Sequence, residues 1–425
     1  MRILTGKQFI EEQNETQNKA RNDEQLDQLV LDIIDQVRSK GDESLRALTK
    51  QYDGVQVDDL VVSAAEFSEA RELVSQDFID ALHQAHENIH SFHKNQTEKS
   101  WFTNEGNGIL LGQKVSPLDS VGIYVPGGKA AYPSTVLMNV IPAKLAGVPT
   151  IAISTPPQQD RKINPHVLVA AEVAGVDRVY KVGGAQAIAA LAYGTDSVQK
   201  VVKIVGPGNA FVACAKKWVF GDVAIDMIAG PSEICIVADD TAIPRFAAAD
   251  LLSQAEHDEQ ATALCITTSE SFAKSLQAEV QLQMKTLERR SIIEQSIQNQ
   301  GRIILVDSMA EATDLVNQLA PEHLQLMVEQ PFEKMLTIKN AGAIFLGNYS
   351  PEALGDYVAG PNHTLPTSGT ATFSSPLGVY DFIKRSSIIQ YSEQALERVS
   401  KDIMTLANAE GLTAHADSIK KRTGE

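Results

Sequence analysis

The sequence predicts an α/β protein with two Rossmann-like domains, each doubly wound but incomplete, together with N-terminal helices and a C-terminal helical arm. Two observations support this prediction. Short apolar runs alternate with amphipathic segments in two successive blocks, which is typical of right-handed βαβ units and parallel sheets. Glycine-rich turns follow three of the predicted strands, where a tight connection into a helix favours a residue without a side chain.

The first hundred residues are predicted to be helical, because apolar residues between Leu26 and Val37 recur at helical spacing until Gly41. A second helix is predicted from Phe78 to Phe92. The first alternating block then comprises strand Val121–Val125, helix Ser134–Ala146, strand Thr150–Ser154, a helix beginning near Pro165, strand Arg178–Val182, helix Ala187–Tyr193, strand Lys200–Val205 and helix Ala210–Val219.

The second alternating block extends to about residue 346. Its predicted elements are strand Ile234–Val237, helix Arg245–Ala255, strand Ala263–Thr267, a helical region to about Gln300, strand Arg302–Val306, helix Met309–Leu319 and strands Leu324–Val328 and Ala343–Leu346. The chain from about Pro376 is largely helical and polar. We therefore expect one domain at residues 124–238, a discontinuous domain at 1–123 and 239–375, and an arm at 376–425.

Composition excludes several classes of protein. The chain has 425 residues, of which 43% are hydrophobic and 21% charged, as in ordinary globular proteins. The formal net charge of −17 argues against a nucleic-acid or anionic-membrane partner, because both require basic surface. The three cysteines form no CxxC pair, and no apolar run is long enough for a signal peptide or membrane helix. A cytoplasmic protein is expected.

The three glycine-rich turns, at residues 126–128, 183–186 and 206–209, predict a ligand site. Glycine allows backbone amides to approach a phosphate, and the N-terminus of the following helix favours its negative charge. None of the turns matches GxGxxG, and tight turns need glycine without any ligand. Three of them at one sheet edge indicate a binding site without identifying what binds.

Histidines and acids provide further candidate residues. His83, His86, His90 and His93 form a stripe along one helix, for which a solvated face is favoured over a metal site. Gln254 and His257 share a helix face and could hold a metal, although a histidine at a helix end more often caps the helix or faces solvent.

Three polar segments in the last quarter of the chain could carry chemistry. Glu322 and His323 place an acid beside an imidazole at a turn from helix to strand, and both groups can titrate. A polar, glycine-punctuated loop contains Asp356 and His363, and long ordered loops are often functional. Residues 410–415 contain Glu410 and His415, where a frayed terminus is the alternative interpretation.

Taken together, several segments resemble histidinol dehydrogenases over nearly the whole chain after about residue 25. They occur in order, and eight ordered motifs are far more specific than any one of them. The segments are YVPGG (124–128), GGAQAIAALAYGT (183–195), GPGNAFV (206–212), IDMIAGPSE (225–233), QAEHD (254–258), APEHLQL (320–326), GDYVAGPNHTLPTSGTA (355–371) and EGLTAH (410–415).

The resemblance implies a zinc-dependent, NAD-linked enzyme of histidine biosynthesis. It implies one Zn²⁺ per subunit, held by Gln254, His257, Asp356 and His415. In the family the last histidine and a nearby glutamate come from the neighbouring subunit, so a homodimer with an exchanged C-terminal arm is implied. NAD contacts would fall on Tyr124, Gln186 and Asn209, within the domain at 124–238.

The implied reaction is the four-electron oxidation of L-histidinol to L-histidine through L-histidinal, with two NAD used in turn. His323 and Glu322 would be the acid–base residues, with Glu322 activating the water that attacks the aldehyde. Substrate contacts would be made by Ser232, His323, His363 and Glu410 together with the four metal residues Gln254, His257, Asp356 and His415.

Three alternatives remain at this stage. A relative with the same fold could oxidise another small polyol or a sulfonated alcohol, although Glu410 suits a cationic amine better than a sulfonate. A metallohydrolase could use Zn²⁺ and Glu322 to activate water without NAD. A non-catalytic binding module is disfavoured, because Glu322, His323 and the four metal positions are all intact.

Overall fold

The computed structural model describes residues 1–17, 24–104, 106–127 and 131–424. The chain begins with a strand that the sequence pattern did not indicate, followed by the expected helices. In order, these elements are β1 (Arg2–Thr5), α1 (Gly6–Gln17), α2 (Glu24–Lys40), α3 (Asp42–Tyr52), α4 (Ala64–Leu73) and α5 (Gln76–His93). Strand β1 has only four residues and pairs with a strand about 300 residues away, so no local pattern identifies it.

A parallel sheet of five strands follows a short hairpin. The hairpin and sheet elements are β2 (Trp101–Asn104), β3 (Ile109–Pro117), β4 (Val121–Tyr124), α6 (Pro133–Ala146), β5 (Ile151–Thr155), α7 (Pro165–Ala174), β6 (Arg178–Lys181), α8 (Gly184–Tyr193), β7 (Lys203–Val205), α9 (Ala210–Val219) and β8 (Ala224–Ile225). The strand order is β6-β5-β4-β7-β8, and every pairing is parallel. The order reverses between β4 and β7, which opens a crevice at the carboxyl ends of the strands.

Helices cover both faces of this sheet, as a doubly wound fold requires. Val121 and Ile123 of β4 enter a core formed with α4–α7, whereas Tyr124 enters the opposite core, formed with α2, α3, α8 and α9. This alternation follows from the two-residue repeat of a strand, which points successive side chains to opposite faces. The α/β prediction is therefore confirmed for the first block.

The second block forms a six-stranded parallel sheet with the same internal order. Its elements are β9 (Glu233–Ala238), α10 (Pro244–Ala255), β10 (Thr262–Thr267), α11 (Glu270–Gln283), α12 (Arg290–Asn299), β11 (Arg302–Leu305), α13 (Met309–Leu319), β12 (His323–Met327), α14 (Pro331–Met335) and β13 (Ala343–Leu346). The order is β1-β11-β10-β9-β12-β13. Without β1, the sheet repeats the 3-2-1-4-5 arrangement of the first, and two separate cores again cover its faces.

The last part of the chain differs from the sequence prediction in two places. Its elements are α15 (Glu352–Tyr357), β14 (Ile383–Tyr391), α16 (Glu393–Ala409) and α17 (Thr413–Thr423). The segment predicted as a loop around Asp356 is a short helix, and the arm contains a nine-residue strand, β14, antiparallel to β3. Both faces of β14 are largely exposed, so its residues lack the apolar alternation that identifies a half-buried strand.

Sheet membership bears on the domain boundaries, which stay a prediction. Strand β9 lies in the six-stranded sheet, and β4 already begins at Val121. Helices α2–α5 pack on the five-stranded sheet and its helices. A division by sheets would therefore place β9 with the second unit and α2–α5 with the first.

Two expectations about the whole chain can be compared with the described residues. Cys214, Cys235 and Cys265 are all free and buried. Within the described ranges, none of the helices has both the length and the apolar composition that crossing a bilayer requires.

A buried ion pair fixes the third glycine-rich turn against the end of the first sheet. The Lys216 ammonium contacts the Asp226 carboxylate, and the two side chains are only 2% and 1% exposed. Lys216 Nζ also donates to the Gly206 carbonyl oxygen at 3.0 Å, and Asp226 Oδ2 accepts from the Gly206 N–H at 2.8 Å. Each buried charge thus has its counter-charge, and both side chains also bind backbone groups of Gly206.

We expect Lys216→Met to lower the free energy of unfolding by about 3–5 kcal/mol, because it leaves the Asp226 carboxylate buried without its counter-charge. The matched control is Lys217→Met. Lys217 forms an ion pair with Asp27 but is 46% exposed, so its loss should cost about 0–1 kcal/mol. Denaturant titration followed by circular dichroism measures both; equal losses for the two variants would contradict the prediction.

Candidate functional site

Glu322 and His323 lie at the amino edge of the second sheet, where β12 begins beside β9. The parallel pairing of these strands sets both side chains against the backbone of Glu233. Glu322 Oε2 accepts a hydrogen bond from the Glu233 N–H at 2.8 Å, and His323 Nδ1 lies 3.0 Å from the Glu233 carbonyl oxygen. Because a carbonyl can only accept, Nδ1 carries the proton and Nε2 has a free lone pair.

Burial shifts both groups away from their usual protonation behaviour. It raises the pKa of Glu322 well above its ordinary value. The hydrogen bond from the Glu233 N–H lowers this pKa, whereas the negative charges of Glu233 and Asp356 raise it further. Burial lowers the pKa of His323, although the charge of Asp356 opposes this. His323 is therefore neutral near pH 7. Its Nε2 is buried and has no hydrogen-bond partner among the described residues.

Three of the predicted metal residues lie together beside this pair. Gln254 is fully buried in the last turn of α10, and His257 follows two residues after the helix ends. His257 Nδ1 lies 3.1 Å from the Ser253 carbonyl oxygen, which leaves Nε2 available. Asp356, on α15, lies with its Oδ1 3.9 Å from His323 Nε2. Imidazole nitrogen with amide and carboxylate oxygens is a donor set that Zn²⁺ accepts.

Glu352 joins this group, although the sequence analysis did not select it. Ligand atoms of His257, Glu352 and Asp356 lie within 4.8 Å of one another. With its amide nitrogen turned towards Glu352, Gln254 donates to both carboxylate oxygens, at 2.9 and 3.1 Å. That orientation leaves the amide oxygen of Gln254 as the atom available to a cation. Glu352 and Asp356 are four residues apart and share a helix face, a signal that is lost when the segment is predicted as a loop.

A cavity of about 560 Å³ opens onto the same residues, which is a suitable volume for a small molecule. Its lining includes His323, Asp356 and His363 as well as apolar side chains such as Phe345. His363 Nδ1 lies 3.0 Å from the Asp356 carbonyl oxygen, and burial lowers the pKa of its imidazole. The cavity thus combines an apolar wall with three imidazoles, those of His93, His323 and His363, and one carboxylate.

The predicted NAD residues lie at the carboxyl edge of the first sheet. Tyr124 ends β4, Gln186 lies in the first turn of α8, and Asn209 caps α9 by accepting from the N–H groups of Phe211 and Val212. The Tyr124 hydroxyl accepts from the Gly184 N–H at 3.0 Å. It therefore joins the first and second glycine-rich turns. Gly128 of the first turn lies outside the described residues.

Gly206 shows why glycine is needed at the crevice between β4 and β7. Its φ is +106°, a backbone conformation that other residues rarely adopt. A Cβ atom at this position would lie 2.2 Å from the Tyr124 carbonyl oxygen, so a side chain would push the ends of the two strands apart.

Hydrogen bonds join the carboxyl edge of the first sheet to the loop that carries His363. His363 Nε2 lies 3.2 Å from the hydroxyl of Thr135, in the first turn of α6, the helix that follows the first glycine-rich turn. Further along α6, Asn139 donates to the Thr364 hydroxyl, and Asn362 donates to the Met138 carbonyl oxygen. The predicted cofactor edge of the first sheet is thus hydrogen-bonded to residues 362–364, and His363 in turn contacts the backbone of Asp356.

Of the remaining predicted residues, one lies near the site and the others lie away from it in this chain. Ser232 immediately precedes β9 and so lies next to Glu233. Glu410 and His415 are exposed, at the end of α16 and on α17, and in the described part of this chain the metal-competent group does not include them. The histidine stripe is likewise absent from that group; His86 and His90 stack on each other at 6.2 Å instead.

Known proteins resemble this chain over almost its full length. A family model for histidinol dehydrogenase matches residues 16–423. The chain is 57% identical over 422 residues to the histidinol dehydrogenase of Oceanobacillus iheyensis, covering 99% of each protein, and 52% identical to that of Listeria monocytogenes, covering 100% of each. The crystal structure of histidinol dehydrogenase from Elizabethkingia anophelis superposes with a TM-score of 0.91 at 39% identity, covering 95% of this chain and 93% of that one. The chain therefore belongs to the histidinol dehydrogenase family, the oxidoreductases of histidine biosynthesis.

Proposed function

We propose that this chain oxidises L-histidinol to L-histidine through L-histidinal, using two NAD in turn and one Zn²⁺ per subunit. One observation carries the proposal. A buried acid–imidazole pair, Glu322 and His323, lies beside three candidate zinc ligands and is connected through His363 to the helix after the first glycine-rich turn. This arrangement supports a site in which the hydride acceptor, the metal and the base act on one small molecule.

The candidate zinc residues in this chain are Gln254, His257 and Asp356, and the fourth would be His415 of the partner subunit. When bound, Zn²⁺ supplies a positive charge that holds the nitrogen atoms of the amino alcohol and so orients its hydroxymethyl carbon. His363, at the cavity wall, would contact the substrate. Ser232, beside Glu233, and Glu410 of the partner subunit are the other proposed substrate contacts.

In the first oxidation, His323 removes the hydroxyl proton while the hydride passes to NAD. Its Nε2 suits this role because it is unprotonated near pH 7 and has no competing partner among the described residues. The Nδ1–H bond to the Glu233 carbonyl fixes the ring orientation and stabilises the imidazolium formed on proton uptake.

In the second oxidation, Glu322 takes a proton from the water that attacks the aldehyde carbon. The hydrate then loses its hydride to a second NAD, giving the carboxylate. The raised pKa of Glu322, which burial causes, makes its ionised form a stronger base than an exposed carboxylate. The Glu233 N–H binds only Oε2, so Oε1 is available for the water.

Exposed apolar side chains support the proposal of an exchanged arm. Helices α16 and α17 pack mainly on each other. Apolar side chains are exposed both on this arm and near the metal-competent group, which suits burial against a second copy. They are Leu406 (66%) and Leu412 (43%) on the arm, and Tyr357 (61%), which adjoins Asp356.

The reaction should yield two NADH per histidinol. The variant Glu322→Gln should slow histidinal oxidation about a hundredfold more than histidinol oxidation, because only the oxidation of histidinal needs an activated water. Stopped-flow absorbance with each substrate measures both steps. Glu329→Gln, an exposed glutamate on the same segment, is the control and should keep both rates. One NADH per histidinol, or equal loss in both steps, would refute the assignment.

Removal of metal should abolish activity and lower the thermal unfolding midpoint, because a ligand that binds only the folded protein stabilises it. Dialysis against a chelator, metal analysis and scanning calorimetry test this, and added Zn²⁺ should restore both properties. Gln254→Ala should weaken zinc binding, whereas Gln260→Ala, an exposed neighbour, should not. Full turnover by protein with no detectable metal would exclude the proposed ligands.

Arm exchange predicts that two inactive variants complement each other. In a mixed dimer of His323→Ala and His415→Ala subunits, one of the two sites receives only wild-type side chains, so about half of the wild-type activity should appear. Two affinity tags isolate the mixed dimer, and each homodimer is the control. An inactive mixed dimer would mean that His415 serves its own subunit.

A further inference from the structure

An acid that none of the motifs contains lies at the same sheet edge as the glycine-rich turns. Asp53 directly follows α3, and the chain after it runs antiparallel to β6. This direction follows from two backbone hydrogen bonds, from Val62 to Val179 at 2.9 Å and from Lys181 to Leu60 at 2.8 Å. Because the run is antiparallel, the residues before Leu60 extend past the carboxyl end of β6.

One hydrogen bond and one electrostatic effect locate Asp53 more closely. Its carbonyl oxygen accepts from the Gln159 amide at 3.1 Å, and Gln159 belongs to the loop after β5. Burial raises the pKa of Tyr124 to about 12; the Gly184 N–H opposes this rise and the nearby charge of Asp53 adds to it. Asp53 therefore lies beside the carboxyl ends of β4, β5 and β6.

The Asp53 side chain is unsatisfied within the described residues. Its Oδ2 is buried and has no hydrogen-bond partner there. Burial raises the pKa of Asp53 to about 6, so the carboxylate is still mostly ionised near pH 7. A buried, ionised oxygen without a donor is costly, and a ligand with hydroxyl groups would remove that cost.

The topology indicates which part of a dinucleotide would pass this point. In open sheets of this strand order, an acid about 20 residues beyond the first glycine turn commonly binds the hydroxyls of the adenine ribose of NAD. In this chain the second strand, β5, is followed by two prolines and two glutamines. The next acid, Asp160, accepts from the Lys162 N–H within its own turn.

We propose that Asp53 binds the adenine-ribose hydroxyls of NAD and thereby makes the site select NAD over NADP. The inference rests on the proposed use of NAD at this edge. The carboxylate accepts from the 2′- and 3′-hydroxyls, and its charge repels the 2′-phosphate of NADP. The acid that other dinucleotide-binding sheets place in the βαβ unit itself is here supplied by the end of α3.

The test compares wild type with Asp53→Asn, which keeps the shape of the side chain and removes its charge. We expect the Kd and KM for NAD to rise about tenfold, as for loss of a charge-assisted hydrogen bond, with a smaller change in kcat, while NADP binding improves or stays constant. Asp160→Asn is the matched control from the neighbouring loop and should leave both constants unchanged. Calorimetric titration of each dinucleotide gives the Kd.

An analogue of NAD that lacks the adenosine 2′-hydroxyl tests the contact without relying on a variant. Wild type should bind it about tenfold more weakly than NAD, whereas Asp53→Asn should bind both alike. Equal weakening of NAD and NADP by Asp53→Asn, or equal wild-type affinity for NAD and the analogue, would overturn the inference and leave the proposed function intact. Wild type that binds no NAD at all would instead refute the proposed function.

Discussion

The backbone of one residue, Glu233, orients the acid and the imidazole of the proposed active site. The N–H and C=O groups of Glu233 point to Glu322 and His323 respectively, because β9 and β12 are adjacent parallel strands. Residues that follow each other in a strand normally face opposite sides of the sheet. Strand β12 begins at His323, and Glu322 still belongs to the preceding turn. The two side chains can therefore act on one molecule. The common anchor then holds both groups in a buried environment that favours their uncharged forms, raising the pKa of Glu322 and lowering the pKa of His323.

The sequence predicted most strands and helices of both sheets, because buried parallel strands are continuous apolar runs and glycine marks their ends. It did not predict β1, β2, β3, β8 or β14. Strand β1 is too short for periodicity, and β14 is exposed on both faces, so each of these two depends on a distant partner strand. Gln254, His257 and Asp356 were selected through resemblance, and the fold brings them to one place. Glu352 was missed because its significance depends on α15, a helix of six residues that lacks a recognisable cap.

Asp53 illustrates a second reason why part of a site escapes sequence reasoning. Nothing in the residues around it resembles a binding motif, and its position matters only because the chain after α3 runs along β6 in the antiparallel direction. The role of Lys216 is also invisible in the sequence, because its burial and its hydrogen bond to Gly206 depend on how α9 packs over the sheet. In both cases the relevant neighbour lies on another element, and its identity follows from packing alone.

The candidate residues lie at the carboxyl edge of the first sheet and at the amino edge of the second, and helix polarity accounts for the difference. In a parallel α/β unit the helices run against the strands, so helix N-termini lie at the carboxyl edge and helix C-termini at the amino edge. The first unit therefore presents the N-termini of α8 and α9 at its carboxyl edge, where the partial positive charge suits the phosphates of a dinucleotide. The second unit presents the C-terminus of α10 at its amino edge, and Gln254 and His257 lie at that end. Partial negative charge there favours a cation. The two ends of one architecture thus favour opposite charges, an anion at the first and a cation at the second, and hydrogen bonds join α6 to residues 362–364 between them.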